Sequence, residues 1–238
     1  MKVVLHAHSD WSYDGHWPLA SIARVFGRLG VGAVMMSEHD TGFDPARFDE
    51  YRAACAAAST ARCALIPGIE YSSPDNDIHI LTWGLEAFLA EHRPVAQTLA
   101  AVQAGGGVAV LAHPARRDAW RRFEPAWTTQ LAAIEIWNRK TDGICWGAHA
   151  RELTMKTGLP ATVGIDFHRP RQFYPLNHRI DVSRGPGLEA ALVAALRAGR
   201  QTPMGLGMPL IDDDGTPRAR PHRMLERLRR RLAGLRRR

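Results

Sequence analysis

The chain has 238 residues, with 31 Lys and Arg against 24 Asp and Glu, 11 His and 3 Cys, and a formal charge of +7. Residues 218–238 hold ten Arg and one acid, Glu226, so this tail carries +9 and the other 217 residues carry −2, which argues against a basic fold that grips duplex nucleic acid with its main surface. Cys55, Cys63 and Cys145 show no C-x-x-C spacing and fit neither a disulfide framework nor a thiolate zinc site, they suit a reducing cytoplasm, and no apolar run approaches the ~20 residues of a membrane span.

Short apolar, β-rich runs recur along the chain: Val3–Ala7, Gly32–Ser37, Ala64–Glu70, Ile78–Trp83, Val108–Ala112, Ile134–Trp137 and Ala161–Ile165. Helical periodicity separates most of them. Pro18–Leu29 places apolar residues at helical spacing and ends at Gly30. Asp44-Pro45 reads as an N-cap followed by Pro at the first helical position, opening a helix to about Thr60. Val95–Ala104, residues 145–157 and Leu188–Ala198 predict further helices. The Ala64 and Ile78 runs are joined by Ser72-Ser73-Pro74-Asp75-Asn76-Asp77, a turn-rich stretch that suits a hairpin. Strands mostly alternating with helices predict an α/β fold of about seven strands, a barrel or distorted barrel. Residues 201–217, rich in Gly, Pro and Asp, read as a linker.

Nearly every strand delivers a metal-competent side chain, most at its C-terminal end. His6 and His8 form a His-x-His pair that strand alternation turns to one face. Asp14 follows in the next loop. His39 closes the second run, Glu70 the third and His113 the fifth; His79 lies in the fourth and Glu135 in the sixth. Asp166 and His168 close the seventh as Asp-x-His. A lone His at a strand end is usually a hydrogen-bonded structural residue. A gathering of six His with Asp14, Glu70 and Asp166 needs counter-charges or metal ions, because such groups are costly to bury unpaired.

The motifs His6-x-His8-Ser9 with Asp14-Gly15, Glu38-His39-Asp40-Thr41, Gly68-Ile69-Glu70, Ala112-His113-Pro114 and Gly164-Ile165-Asp166-Phe167-His168 resemble, in order and spacing, the polymerase-and-histidinol-phosphatase (PHP) superfamily. The resemblance spans residues 6–168, and 1–205 with flanking structure. It implies a compact, single-domain, metal-dependent phosphoesterase: an α/β protein with a distorted (β/α)7 TIM-like barrel and a metal site at the C-terminal ends of the strands. It implies two or three divalent ions, Zn, Mn or Fe. His6, His8 and Asp166 would hold the first, Glu70 would bridge the first and second, His113 and His79 would complete the second, and Asp14, His39 and His168 would hold the third. Glu70, Asp166 and His168 would be catalytic, and Glu135 would orient a ligand His. Position 38 is Glu where many members have Asp. The interval from Glu70 to His113 is too short for the helical insertion of some nucleic-acid-degrading members.

The chemistry so implied is attack on phosphorus by a metal-bridging hydroxide. Basic residues just beyond the ligands are the candidate substrate contacts: Arg169, Arg116 and Arg139 first, with Arg117, Lys140 and Arg171 beside them. Trp11, Tyr13 and Trp17 flank Asp14 and either stack on substrate or pack the rim. His16, His92, His149, His178 and His222 read as surface or structural, and Cys145 has no activating base nearby in sequence.

In residues 220–238, Met224, Leu225, Leu228, Leu232 and Leu235 recur at three and four among Arg residues, a basic amphipathic pattern. The domain division is therefore 1–205 for the hydrolase and 206–238 for linker and tail. The tail reads as frayed or docked on the body, as a contact for nucleic acid, or as a membrane-surface helix. The substrate is expected to be a nucleotide, a short oligonucleotide or a small phosphomonoester. A hydrolase of carboxyl or carbamate esters on the same site is the alternative. A catalytically idle metal-binding module would have broken ligands, and none is broken.

Overall fold

A computed structural model describes residues 1–143 and 148–211, together with Met224, Arg227, Leu228 and Arg231. Cys145, His222, the linker beyond Ile211 and the rest of the Arg-rich tail lie outside the described residues. Of the tail's apolar positions, Met224 and Leu228 are exposed.

The described residues form two six-stranded sheets with helices between most strands. One sheet runs in the order β12 (Met208–Pro209), β11 (Gln201–Gly205), β10 (Leu176–Ile180), β1 (Lys2–Leu5), β2 (Ala33–Met35), β4 (Ala64–Ile66). The other runs β3 (Glu38–His39), β5 (Gly68–Ser72), β6 (His79–Trp83), β7 (Val108–Leu111), β8 (Ala133–Asn138), β9 (Ala161–Gly164). Strands β1, β2 and β4 are parallel, as are β3 with β5 and β7 with β8 and β9. The expected hairpin is present: β5 and β6 pair antiparallel, with Ser72 opposite His79. Because β6 runs backwards, His79 reaches the functional edge from the start of its strand rather than the end.

Two of the seven anticipated strands are broken in the middle. Pro67 separates β4 from β5, and Met36-Ser37 separates β2 from β3. The breaks are sealed by buried polar caps. The Trp83 indole N–H donates to the Met36 carbonyl at 2.6 Å, and the Tyr51 hydroxyl donates to the Gly68 carbonyl at 3.2 Å. A Cβ at Gly68 would meet the Trp83 ring at 2.2 Å, so only glycine fits there. The sheets also join where Ala7, just past β1, bridges Phe167, just past β9.

The helices α1 (Leu19–Arg28), α2 (Phe48–Ala58), α3 (Val95–Ala104), α4 (Arg139–Asp142), α5 (Ala148–Thr157) and α6 (Leu188–Arg197) match the periodic stretches, with α4 additional. In α1, Leu19, Ile22, Ala23 and Phe26 form the buried stripe. Asp44 caps a short 3-10 turn ahead of α2 by accepting the Ala46 N–H. The linker reading of 201–217 is corrected: Gln201–Gly205 is a strand paired residue for residue with β10. No helix among the described residues is long and apolar enough to cross a membrane.

His178, on β10, proves to be a core residue. It is fully buried, its Nε2 accepts the Val163 N–H at 3.1 Å, and burial pulls its imidazole down to about 3. Between pH 6.5 and about 3 the unfolded chain binds a proton here that the folded chain does not. Stability is therefore expected to fall by about 1.4 kcal/mol per pH unit as the pH is lowered through that window. In His178→Gln the amide oxygen keeps the acceptor role without titrating. Urea denaturation at pH 6.5 and 4.5 should show a smaller loss in this variant; an unchanged loss would contradict the assignment.

Candidate metal centre

Glu70, the central residue of β5, sits in the middle of five imidazoles. Its Oε1 meets His79 Nδ1 at 2.7 Å and His113 Nε2 at 2.9 Å. Its Oε2 lies 3.4 Å from both His6 Nε2 and His8 Nε2 and 3.2 Å from His39 Nδ1. Asp166 closes the other side. Its Oδ1 is 3.6 Å from His6 Nε2, 3.4 Å from His8 Nε2 and 3.2 Å from His168 Nδ1. Asp14, from the loop after β1, lies between His39 and His168, at 3.3 and 3.1 Å. Every metal ligand expected from the sequence is thus in one cluster, and all but Asp14 are buried.

The backbone differs from the simple strand picture. β1 ends at Leu5, and His6 takes a left-handed φ of 67°; Asp166 does the same after β9, at 52°. Such conformations cost about 1–3 kcal/mol each and concentrate at functional sites. Here they accompany a geometry that brings His6 Nε2 within 3.6 Å of Asp166 Oδ1 and 3.4 Å of Glu70.

A surrounding layer of carboxylates fixes the cluster. Glu135 on β8 pairs with His6 Nδ1 at 3.0 Å through Oε1, and its Oε2 accepts the His113 N–H and the Asn138 amide, each at 2.9 Å. A Cβ at Gly164 would lie 1.8 Å from Glu135 Oε1, so the adjacent strand must carry glycine to leave room for this contact. Glu38 accepts hydrogen bonds from Ser9 N–H, Ser9 Oγ and Ser12 Oγ, which holds the loop carrying Asp14. Asp40 accepts the Ser72 and His92 N–H groups and ties the β5–β6 turn. Sequence reasoning passed over Asn138, Asn76 and Asp40. Asn138 had a usable signal, since an Asn ahead of Arg139-Lys140-Thr141 is a helix N-cap pattern.

The mouth holds two cations. The Lys140 ammonium is 3.0 Å from His168 Nε2, 3.6 Å from Asp166 and 3.8 Å from Asp14. Arg116 lies on the opposite side, on the Asn76 carbonyl at 2.7 Å and His79 Nε2 at 3.2 Å. The structure does not bring the other expected substrate residues in. Arg139 turns over the Tyr174 ring at 5.6 Å, Arg169 is exposed outside the cleft, and Arg117 pairs with Asp77. Tyr13 is exposed and stacks on His39, whereas Trp11 and Trp17 pack against Tyr51 and Phe167.

The protonation pattern follows from this crowding. Burial pushes Glu70 up, but His79, His6, His113 and His39 together hold it well below the usual carboxylate range. Asp166 is likewise pushed up by burial and held down by His6, His8 and Lys140. Burial pulls His39 down, yet contacts with Asp14 and Glu70 raise it to about 10. His8 is lowered by burial and by its neighbours His168 and His39.

The donor set fits metal ions. Among the described residues, His6 Nε2, His8 Nε2 and Asp166 Oδ1 are buried with no hydrogen-bond partner, and all three lie within 4.8 Å of one another. Donors of one ion at ~2.1 Å sit about 3–3.5 Å apart, close to the spacings here. Two further sets of the same kind are His6, Glu70, His113 and His8, His39, His168. His79 is in none of these three sets; its Nε2 pairs with Asn76 Oδ1 at 2.6 Å. Glu135→Gln is expected to lower metal affinity about 10–100-fold, because it loosens both His6 and His113. Competition with a chromophoric chelator measures this, and an unchanged affinity would show that Glu135 does not support the ligands.

No family model and no curated protein matches the sequence. Solved structures share the fold. A two-domain protein from Bacteroides vulgatus ATCC 8482, containing a predicted PHP-like metal-dependent phosphoesterase, superposes with a TM-score of 0.63 at 17% identity, over 89% of this chain and 65% of that one. The lesion-specific endonuclease EndoQ from Pyrococcus furiosus gives 0.55 at 13% identity, over 88% and 57%. An amidohydrolase from Chromobacterium violaceum with bound sulfate gives 0.54 at 15% identity, over 86% and 98%. The chain therefore spans less than two thirds of the length of the first two. At these identities the likeness is one of fold, and it agrees with the resemblance carried by the motifs.

Proposed function

We propose that the protein is a metal-dependent phosphoesterase of PHP type, acting on a nucleotide, a short oligonucleotide or a small phosphomonoester. The observation that carries this reading is the convergence of unpartnered His6, His8 and Asp166 donor atoms beside Glu70, beneath a mouth lined by Lys140 and Arg116. His6, His8 and Asp166 would hold one divalent ion and His113 a second, with Glu70 shared between them and His79 either a further ligand of the second or steering Glu70; His39, His168 and Asp14 offer a third set. Such ions, when bound, neutralise phosphate charge and acidify a water. The chain's own residues do the rest. Arg116 binds a phosphate oxygen from the His79 side, where its planar fork suits a phosphate. Tyr13 covers His39 and presents an aromatic face to the leaving group.

The Ala7–Phe167 bridge and the β2/β3 and β4/β5 breaks support reading the strands as seven units of a distorted barrel. Residues 1–205 would carry the activity and 206–238 an appended segment. The fold likeness to an amidohydrolase supports the second reading, hydrolysis of carboxyl or carbamate esters.

A panel of aryl phosphate mono- and diesters, nucleoside monophosphates, oligonucleotides and aryl esters distinguishes the two. Phosphoester turnover is expected; turnover of aryl esters alone by fully metal-loaded protein would favour the second reading. Because imidazole ligands must be neutral to bind, activity should drop steeply below pH ~6. A profile flat to pH 5 would count against the His cluster as the metal site.

A further inference from the structure

We propose that Lys140 occupies the third cation position, so that the centre holds two metal ions and a lysine ammonium instead of three metal ions. This rests on the metal-centre reading above and concerns the stoichiometry of that same site. The motifs assign Asp14, His39 and His168 to a third ion. In the structure the Asp14 carboxylate spans the two imidazoles, one oxygen on each, at 3.3 and 3.1 Å. The Lys140 ammonium stands against the same ligands, 3.0 Å from His168 Nε2 and 3.8 Å from Asp14 Oδ2, with Asp166 Oδ1 at 3.6 Å. Two of the nearest neighbours of that nitrogen are thus the anionic oxygen and imidazole nitrogen that a third ion would need.

The lysine is positioned by the cluster itself. Asn138 caps α4 by accepting the Lys140 and Thr141 N–H groups, each at 3.0 Å. The same Asn138 donates to Glu135, which holds His6. Asp142 accepts the Asn138 N–H at 2.9 Å and closes the turn. Lys140 therefore hangs from a backbone fixed to the ligand network, while Arg139, one residue earlier, points away to Tyr174. A divalent ion placed between His168 and Asp14 would face the ammonium within a few ångströms, and like charges at that separation repel strongly in a half-buried site. With one N–H on His168, an ammonium there still has N–H groups to offer a phosphate oxygen, doing part of the work of an ion without needing one.

The test counts metal. Chelated wild-type protein, Lys140→Met, Lys140→Gln and Lys140→Arg are titrated with Mn2+ alone and read by calorimetry and by elemental analysis after desalting. Wild type and Lys140→Arg should saturate at two ions per chain. Lys140→Met and Lys140→Gln should take up a third, at least 10-fold tighter than any third ion in wild type. Equal stoichiometry in wild type and both neutral variants, whether two or three, would overturn the proposal. Lys140 is partly exposed, so these variants should melt close to wild type when metal-free, and two independent neutral substitutions guard against a folding artefact. The outcome is separate from that of the phosphoesterase reading, since the ion count does not depend on which ester is cleaved.

Discussion

Glu70→Gln is expected to lower phosphoester hydrolysis by at least about 10³-fold at saturating metal, the largest loss of any single isosteric change in the molecule. The amide keeps the size and one oxygen but loses the charge that faces five imidazoles. An amide oxygen is also a poor bridge between two cations. The variant should bind fewer metal ions than wild type, and those more weakly. A variant with wild-type metal content and near-wild-type kcat would show that Glu70 is not at the heart of the chemistry. Glu135→Gln, by contrast, should weaken metal binding while activity at saturating metal stays closer to wild type. The two glutamates are both buried, but on this reading Glu70 would touch the ions and Glu135 holds their ligands, His6 and His113.

Metal removal is expected to cost stability on a similar scale. Among the described residues, His6 Nε2, His8 Nε2 and Asp166 Oδ1 are buried without hydrogen-bond partners. Ions that bind only the folded state stabilise it by about 4 kcal/mol at a free concentration 1,000 times Kd. For a chain of this size each kcal/mol moves Tm by about 2–4 °C. Restoring Mn2+ or Zn2+ to chelated protein should therefore raise Tm by about 8–16 °C for one such site. The same addition to Glu70→Gln should give a much smaller shift. A rise of a degree or less in wild type would mean that the cluster is satisfied by its own proton network.

Much of this site could be read from the chain because its ligands lie where short apolar runs stop and His or acid begins, even though Glu70 proves to be mid-strand in β5. His39, Glu70 and His113 needed nothing more than that punctuation. His6 and His8 were placed on one face by strand alternation, and they do converge, but through the left-handed turn at His6 rather than along a regular strand. The choice between Arg139 and Lys140 was beyond sequence. A short helix begins there, consecutive side chains point about 100° apart, and only the cap at Asn138 sets which one faces the ligands. Strands β10 and β11 were missed for a different reason. Residues 201–205, with Pro203, read as connecting chain, and both strands are held by non-local pairing, β10 on β1, far away in sequence, and β11 on β10. Long-range register leaves little local trace. Whether His178 is a surface or a structural residue is open in the sequence alone for the same reason. Its partner, Val163 on β9, is reached only after folding.

The most direct test is to strip the protein of metal, reload it stepwise with Mn2+ or Zn2+, and follow hydrolysis of an aryl phosphate and an aryl carboxylate ester at each step. Phosphate ester turnover should be absent in the stripped protein, appear as two ions per chain are restored, and stay absent in reloaded Glu70→Gln. Turnover that survives stripping, or a reloaded protein that cleaves only the carboxylate ester, would contradict the assignment.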